Sequence, residues 1–435
     1  MSILVKNVDI ITCEEENMML KNGFIGISKD TIELVTTDEK KALNFNAIKT
    51  IDGSKMIATP GFVNAHTHSP MTILRNCAND LALEDWLFNH IFPREGKLLE
   101  NDIYWGSMLG IAEMIKSGTT SFADMYYAVD QTANAVVESG VRANLSVSAF
   151  PFTIDENGTS FSDKTSQFQD FYKTWNKSEN GRLSVYVLVH SPYIYDKKSM
   201  KDSADFAKDI GTGVHIHVLE TLKELNDTTT KYGKDAARAC LEAGIFDVPC
   251  IAAHCVHAST ENIDMFNNKA VSVAHNPTSN LKLGSGIANV PYMLEAGVNV
   301  ALGTDGTASN NNLNMIEEMH LAALIHKGYN MKPTLVSAND ALLMATRNGA
   351  RALGFGENLG IIKEGYKADI TLFDRDEIHF TPYNNPISAL VYSAQESDVD
   401  SVIIDGKVVL EGRELKTIDE ERARFEVTRI AEGLV

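Results

Sequence analysis

The spacing of apolar and polar positions divides this chain into a central stretch and two flanks. Up to about residue 55 it reads as short runs rich in β-branched residues, ILVKNVDIIT, FIGISKD, TIELVTT and KTIDGSKMIATPG, which predict strands. From Pro60 apolar strands alternate with longer amphipathic stretches, the rhythm of βα units around a parallel sheet. Eight strand candidates follow, at 61–68, 119–126, 142–150, 183–192, 213–220, 248–255, 270–277 and 298–305. Helix candidates such as NDIYWGSMLGIAEMIKSG and KDAARACLEAG lie between them, and most end in Gly, a common helix stop. Eight units fit a (β/α)8 TIM-type barrel with less strain than a doubly wound sheet. After a helical pair, LVSANDALLMATRNGARALGF, strand-like text returns in KADITLFD and SVIIDGKVVLEGREL, with a turn at Asp405-Gly406. Each flank alone has too few strands to bury a core. The expected fold is therefore α/β: residues 59–355 form the barrel domain, and residues 1–58 with 356–435 form a small composite β-sandwich domain.

Composition narrows the class of ligand. Apolar residues make up 44% of the 435 and charged residues 22%, an ordinary soluble balance. Lys plus Arg number 39 against 58 Asp plus Glu, a formal net charge of −19, so the average surface repels nucleic acid and anionic membrane and leaves small nucleosides or bases as partners. Five cysteines, odd in number and without a CxxC pair, argue against a disulfide framework or a structural zinc knot and read as buried thiols. No apolar run reaches the roughly 18 residues of a membrane span. The start, MSILVKNVDIITCEEEN, has no basic leader or cleavage site and reads as mature and cytoplasmic. Oligomeric state is left open, a homo-oligomer included.

Catalytic groups of such a barrel project from the C-terminal ends of its strands. Here polar residues gather there: His66 and His68 at the first strand, His217 and Glu220 at the fifth, His254 at the sixth and Asp305 at the eighth. His66 and His68 are two apart, so in an extended strand both rings leave one face and can meet one ion. With His217 and Asp305 they form a three-nitrogen, one-carboxylate set suited to zinc or another borderline divalent cation with an open position for water. Taken singly, His217 reads more often as a hydrogen-bonded core histidine than as a ligand, and Asp305 as a turn former beside Gly; their joint placement favours ligation. Glu220 is placed to accept and relay a proton from activated water, against a bland role at the start of the next helix. His254 is a candidate to orient the attacking water and stabilise developing charge. His215 is two before His217 and shares its face, yet is left structural with His257, His275, His320 and His326. Asn276, Asn280 and Lys282 follow the seventh strand, where loops often bind substrate.

At PGFVNAHTHSPMTILRN, LEDWLF, HSPY, HVLET, AAHCVH, HNPTSNLKLGSGIA and LGTDGTASNNNLNM the sequence resembles the amidohydrolase superfamily, and within it the mononuclear 5′-methylthioadenosine/S-adenosylhomocysteine deaminases. The likeness covers almost the whole chain. It implies one divalent cation per chain, Zn2+ first with Fe2+, Mn2+ or Ni2+ as alternatives, on His66, His68, His217 and Asp305. It further implies hydrolytic removal of the 6-amino group of an adenosine-type nucleoside to give the inosine analogue and ammonia, with Glu220, His254 and Asp305 catalytic. Glu95 in FPREGKL would hold ribose hydroxyls, and His190 and Trp86 would also contact the nucleoside, as would Glu220 and Asp305. In one respect the chain departs from the pattern. Members that accept S-adenosylhomocysteine are expected to place Arg after the third strand, and Lys164 is the only cation in NLSVSAFPFTIDENGTSFSDKTSQ; Lys replaces a bidentate Arg poorly. This favours 5′-methylthioadenosine, adenosine or a smaller relative.

Rival readings remain. Guanine, pyrimidine or triazine aminohydrolases and chlorohydrolases place an electrophilic ring carbon over the same metal residues. A binuclear amidase would want a Lys in the fourth strand, which LSVYVLVHSP lacks, and the cytidine-deaminase fold would want H-x-E and P-C-x-x-C. A non-catalytic scaffold would typically have lost ligands, and all are present here.

Overall fold

The computed structural model describes residues 2–15, 18–81, 83, 85–151 and 164–434. All eight strand candidates form one parallel sheet in chain order: Phe62–Thr67, Thr119–Met125, Arg142–Ser148, Leu183–Val189, Val214–Val218, Cys250–His254, Ser272–His275 and Asn299–Leu302. Each ends one to three residues before the sequence pattern does. Helices including Glu100–Lys116, Val129–Ser139, Lys197–Ile210, Ala236–Ala243 and Met315–Asn330 surround the sheet. Ala236–Ala243 stops at Gly244 in the left-handed conformation that a side chain would resist.

The barrel is nearly closed, and side chains stitch its seam. Asp305 donates its backbone N–H to the His66 carbonyl (2.9 Å), while the Asn64 amide bridges to Thr304 at N–H and hydroxyl (3.0 and 2.7 Å). Gly303 allows this approach: a Cβ there would lie 2.4 Å from Asn276 Oδ1 and 2.9 Å from backbone atoms of His66. The glycine of the GTDG segment thus lets the Asp305 strand reach the HxH strand.

Both chain ends enter a second, mixed sheet of nine strands. The strand Ser2–Ile11 pairs with Lys49–Asp52 along its first half and with Met56–Pro60 along its second, so the sheet forks there. Met56–Pro60 joins Ile370–Asp374 antiparallel, and Val399–Ile404 and Lys407–Glu411 extend the sheet. Asp405 and Gly406 both have positive φ, the tight hairpin geometry expected of Asp-Gly. Ile3, Val5 and Ile10 share one core with Ile370, Leu372 and Ile403, so neither flank buries its apolar face alone. The tail also contains a helix, Glu420–Glu432, whose Val427 and Ile430 pack with Met71 and Trp86 of the barrel. Four of the five cysteines are buried; Cys77 is half-exposed, and none is disulfide-bonded. No helix among the described residues is long and apolar enough to cross a membrane.

Barrel and sheet are joined by a buried ion pair. Arg142, at the start of the third barrel strand, holds Asp369 through two nitrogens at 3.1 Å each and reaches Asp405 at 3.4 Å. All three are buried, so removing one partner strands uncompensated charge. Arg142→Met should therefore lower stability by about 3–5 kcal/mol, read as an earlier midpoint in chemical denaturation; an unchanged midpoint would show that the pair is effectively solvated.

Candidate functional site

At the mouth of the barrel the expected residues converge. The His66 ring centroid lies 5.0 Å from that of His68, 4.8 Å from His217 and 5.4 Å from His254. Asp305 Oδ1 is 3.5 Å from His66 Nε2 and 3.2 Å from His68 Nε2. Donor atoms of His66, His68 and Asp305 form one group compact enough for a metal ion, and those of His66, His217 and His254 form another, with His66 in both. Asp305 and His254 reach the centre on left-handed backbone, φ 62° and 74°. Non-glycine residues adopt that conformation at a cost of about 1–3 kcal/mol, and it is concentrated at functional sites.

Hydrogen bonding shows whether a cation fits. His68 Nδ1 is bonded to the Met125 carbonyl and His217 Nδ1 to the His190 carbonyl (2.7 Å). A carbonyl only accepts, so both Nδ1 atoms carry protons and the neutral rings present bare Nε2 lone pairs inward. His66 Nδ1 meets His215 Nε2 at 2.9 Å, while its own Nε2 is buried with no partner. Lone pairs facing a carboxylate repel unless positive charge lies among them, so the donor set fits a divalent cation. Burial lowers His66 to about 4 and takes His217 well below the usual imidazole range, keeping both neutral as ligands must be. For His68 burial also disfavours charge, but the Asp305 carboxylate and Met125 carbonyl prevail and raise it to about 9, so the pair calls for positive charge between His68 Nε2 and Asp305, which either a proton or a metal ion there would supply. Burial likewise opposes ionisation of Asp305, yet contact with His66 and His68 holds it well below the usual carboxylate range. Ser279 and Ser309 hydroxyls donate to its Oδ2 (2.6 and 2.9 Å), and the Gly306 N–H donates to Oδ1 (2.8 Å).

Beside this centre Glu220 Oε2 lies 3.9 Å from His254 Nε2. Burial raises the Glu220 pKa, which suits a group that accepts and returns a proton. Its backbone is fixed by Glu224, whose carboxylate accepts the N–H groups of Leu219 (3.0 Å) and Glu220 (2.7 Å). His254 Nδ1 contacts the Asn280 side-chain oxygen at 2.8 Å and Asn276 at 3.3 Å.

His68, His217, Glu220, His254 and Asp305 form the floor of a cavity of about 740 Å3, and Trp86, Glu95 and His190 line its walls. The Trp86 indole nitrogen is buried without a partner, and burial lowers His190 to about 3. Residues 152–163, where an arginine was sought, lie outside the described residues, as does Glu84 of LEDWLF; Lys164 lines the cavity. Sequence reasoning left His215 structural, yet it backs His66 and passes a second bond to Ser146 (3.0 Å); its spacing of two from His217 was the available signal. Asn276 and Asn280 stand behind His254, and Lys282 is tied to the Ala308 carbonyl. His275 and His326 form a separate buried pair, 5.3 Å between rings. Ser279, Ser309 and Glu224 carried no signal a single sequence could supply.

Comparison with known proteins agrees with this geometry. The profile described as the amidohydrolase family matches residues 57–409. The chain is 57% identical to a 5-methylthioadenosine/S-adenosylhomocysteine deaminase of Acetivibrio thermocellus and 46% identical to one of Thermoanaerobacter pseudethanolicus, with all of each chain covered. Among solved structures, an adenosine deaminase from Xanthomonas campestris with bound zinc superposes at TM-score 0.94 with 30% identity, over 99% of this chain and 98% of that one. A zinc complex of an atrazine chlorohydrolase from Arthrobacter aurescens superposes at 0.91 with 25% identity, over 99% and 100%.

Ligand and support roles separate by metal affinity. His217→Ala and Asp305→Ala should each bind zinc more than about 100-fold more weakly than the parent, and His215→Ala about 10–100-fold more weakly, measured by competition with a chromophoric chelator. Parent-like affinity in any variant would remove that residue from the centre or its support.

Proposed function

The chain belongs to the amidohydrolase family, and from that premise we infer that it is a metal-dependent hydrolytic deaminase, removing the 6-amino group of an adenosine-type nucleoside to give the inosine analogue and ammonia. The observation that carries this reading is that His66 shares one compact donor group with His68 and Asp305 and another with His217 and His254, beneath a cavity lined by His68, His217, Glu220, His254 and Asp305. On this reading His66, His68, His217 and Asp305 hold one divalent cation, zinc first, with iron, manganese or nickel also suited to the donor set. Bound there, such a cation supplies the Lewis acidity that makes water nucleophilic at neutral pH.

The protein side chains do the rest. Glu220 takes a proton from the water that adds to C6 and passes it to the neighbouring ring nitrogen. His254 and Asp305 orient that water, and Asp305 takes the proton left on the added hydroxyl and passes it to the amine as the C6–N bond breaks and ammonia leaves, forming the C6 carbonyl. Trp86 and His190 bound the nucleoside, and Glu95 accepts hydrogen bonds from the ribose hydroxyls. Most of the cavity lining is apolar and aromatic, which suits a purine and a 5′-thioether. No arginine occurs between Ser148 and Arg182 to pair an amino-acid carboxylate, so 5′-methylthioadenosine and adenosine are favoured over S-adenosylhomocysteine.

Glu220→Gln keeps size while removing the proton acceptor. It should lower turnover by about 10²–10⁴-fold with metal content unchanged, and parent-like rates would remove Glu220 from the chemistry. Ammonia release across a panel of 5′-methylthioadenosine, adenosine, S-adenosylhomocysteine, adenine, guanine, cytosine and a chlorotriazine should be fastest with the first two. Activity confined to free bases or triazines would replace the nucleoside reading.

A further inference from the structure

Glu95 ends the short, half-buried helix Phe92–Glu95, which lies outside the barrel strands and lines the cavity. A glutamate side chain has three rotatable bonds, and a carboxylate free to swing loses conformational entropy when it must meet two hydroxyls at once. Something must hold it. Tyr126 and Tyr127, directly after the second barrel strand, both reach it: the Tyr126 hydroxyl donates to Glu95 Oε1, and the Tyr127 hydroxyl donates to the Glu95 carbonyl at 2.9 Å. The two rings are stacked, 4.6 Å between centroids and 21° between planes. Among the described residues the Tyr126 hydroxyl is the donor that meets this carboxylate.

We propose that Tyr126 is the positioning residue for ribose recognition, holding Glu95 so that its remaining lone pairs accept the vicinal 2′ and 3′ hydroxyls. The inference rests on the reading of Glu95 as the ribose acceptor. Its geometric force lies in the neighbouring residue: the Met125 carbonyl anchors His68 Nδ1, and the next side chain anchors Glu95. One peptide unit thus sets the span between the catalytic floor and the sugar carboxylate, and so between C6 and the diol of a bound nucleoside. Chemistry supports the pairing. Burial raises the pKa of the Glu95 carboxyl, and the Tyr126 hydroxyl partly offsets this by stabilising the charged form. An ionised carboxylate accepts hydrogen bonds at both oxygens, as a diol requires.

Tyr126→Phe keeps the ring and its stacking and removes only the donor. Steady-state constants of the holoenzyme with adenosine and with 2′,3′-dideoxyadenosine separate the outcomes. The KM for adenosine should rise about tenfold or more, as for loss of a hydrogen bond to a charged group. The kcat for adenosine and both constants for the dideoxynucleoside should remain those of the parent. Equal losses on the two substrates, or none on either, would overturn the proposal. Glu95→Ala provides the reference: if it keeps the parent preference for adenosine over the dideoxynucleoside, the ribose reading of Glu95 fails. If that preference vanishes in Glu95→Ala but survives in Tyr126→Phe, the role of Tyr126 alone fails.

Discussion

Asp305 stands where the eighth barrel strand meets the first, its carboxylate 3.2 Å from His68 Nε2 and 3.5 Å from His66 Nε2. An anion so deeply buried is costly unless positive charge and hydrogen bonds surround it. Two serine hydroxyls and one backbone N–H meet part of that demand, and the proposed cation among the imidazoles would meet the rest. The seam depends on Gly303, where any side chain would collide with the His66 backbone, and on Asn64, which replaces a regular ladder with side-chain bonds. Closing the barrel and bringing together the proposed metal residues are therefore one structural event. The composite sheet is tied to this barrel through Arg142, so both chain ends contribute to holding the strands in place.

The chemistry is graded by rigidity. The residues proposed to hold the metal, and Glu220, lie at or just beyond the ends of parallel strands, and His66, His68 and His217 are each braced at Nδ1 by a carbonyl or by His215. Glu220 gains a further brace from Glu224, which fixes its backbone rather than its side chain. The groups proposed to recognise the nucleoside lie on short helical turns, with Trp86 in Asp85–Ile91 and Glu95 in Phe92–Glu95. Loops and short turns of this kind adapt to different substrates while the scaffold stays constant. Family resemblance accordingly speaks more firmly for hydrolysis at a metal centre than for one particular nucleoside.

Much of the fold was legible from periodicity. Eight apolar runs broken by amphipathic helices became eight parallel strands, and the strand-rich flanks became one shared sheet. Strand ends run shorter than the sequence pattern because the backbone leaves the ladder there, turning left-handed at Leu219, His254 and Asp305, which local propensity does not reveal. The residues of the mouth were legible because HxH spacing and strand-end placement are local signals. His215 was passed over, although it sits two residues from His217, because a histidine that braces and one that ligates look alike in a single sequence. Ser279, Ser309 and Tyr126 act through tertiary contacts, and nothing in their own neighbourhoods marks them. The helix Glu420–Glu432 escaped the reading of the tail because its apolar face is narrow and docks on a barrel helix, not on the sheet.

The account stands on one shared centre. Anomalous diffraction from a zinc-loaded crystal, recorded on both sides of the zinc absorption edge, locates it directly. The account predicts a single strong peak in each chain, about 2 Å from Nε2 of His66, His68 and His217 and from a carboxylate oxygen of Asp305. A peak bonded to only part of that set, two peaks bridged in the mouth, or zinc bound elsewhere with the four side chains still facing an empty point would contradict it.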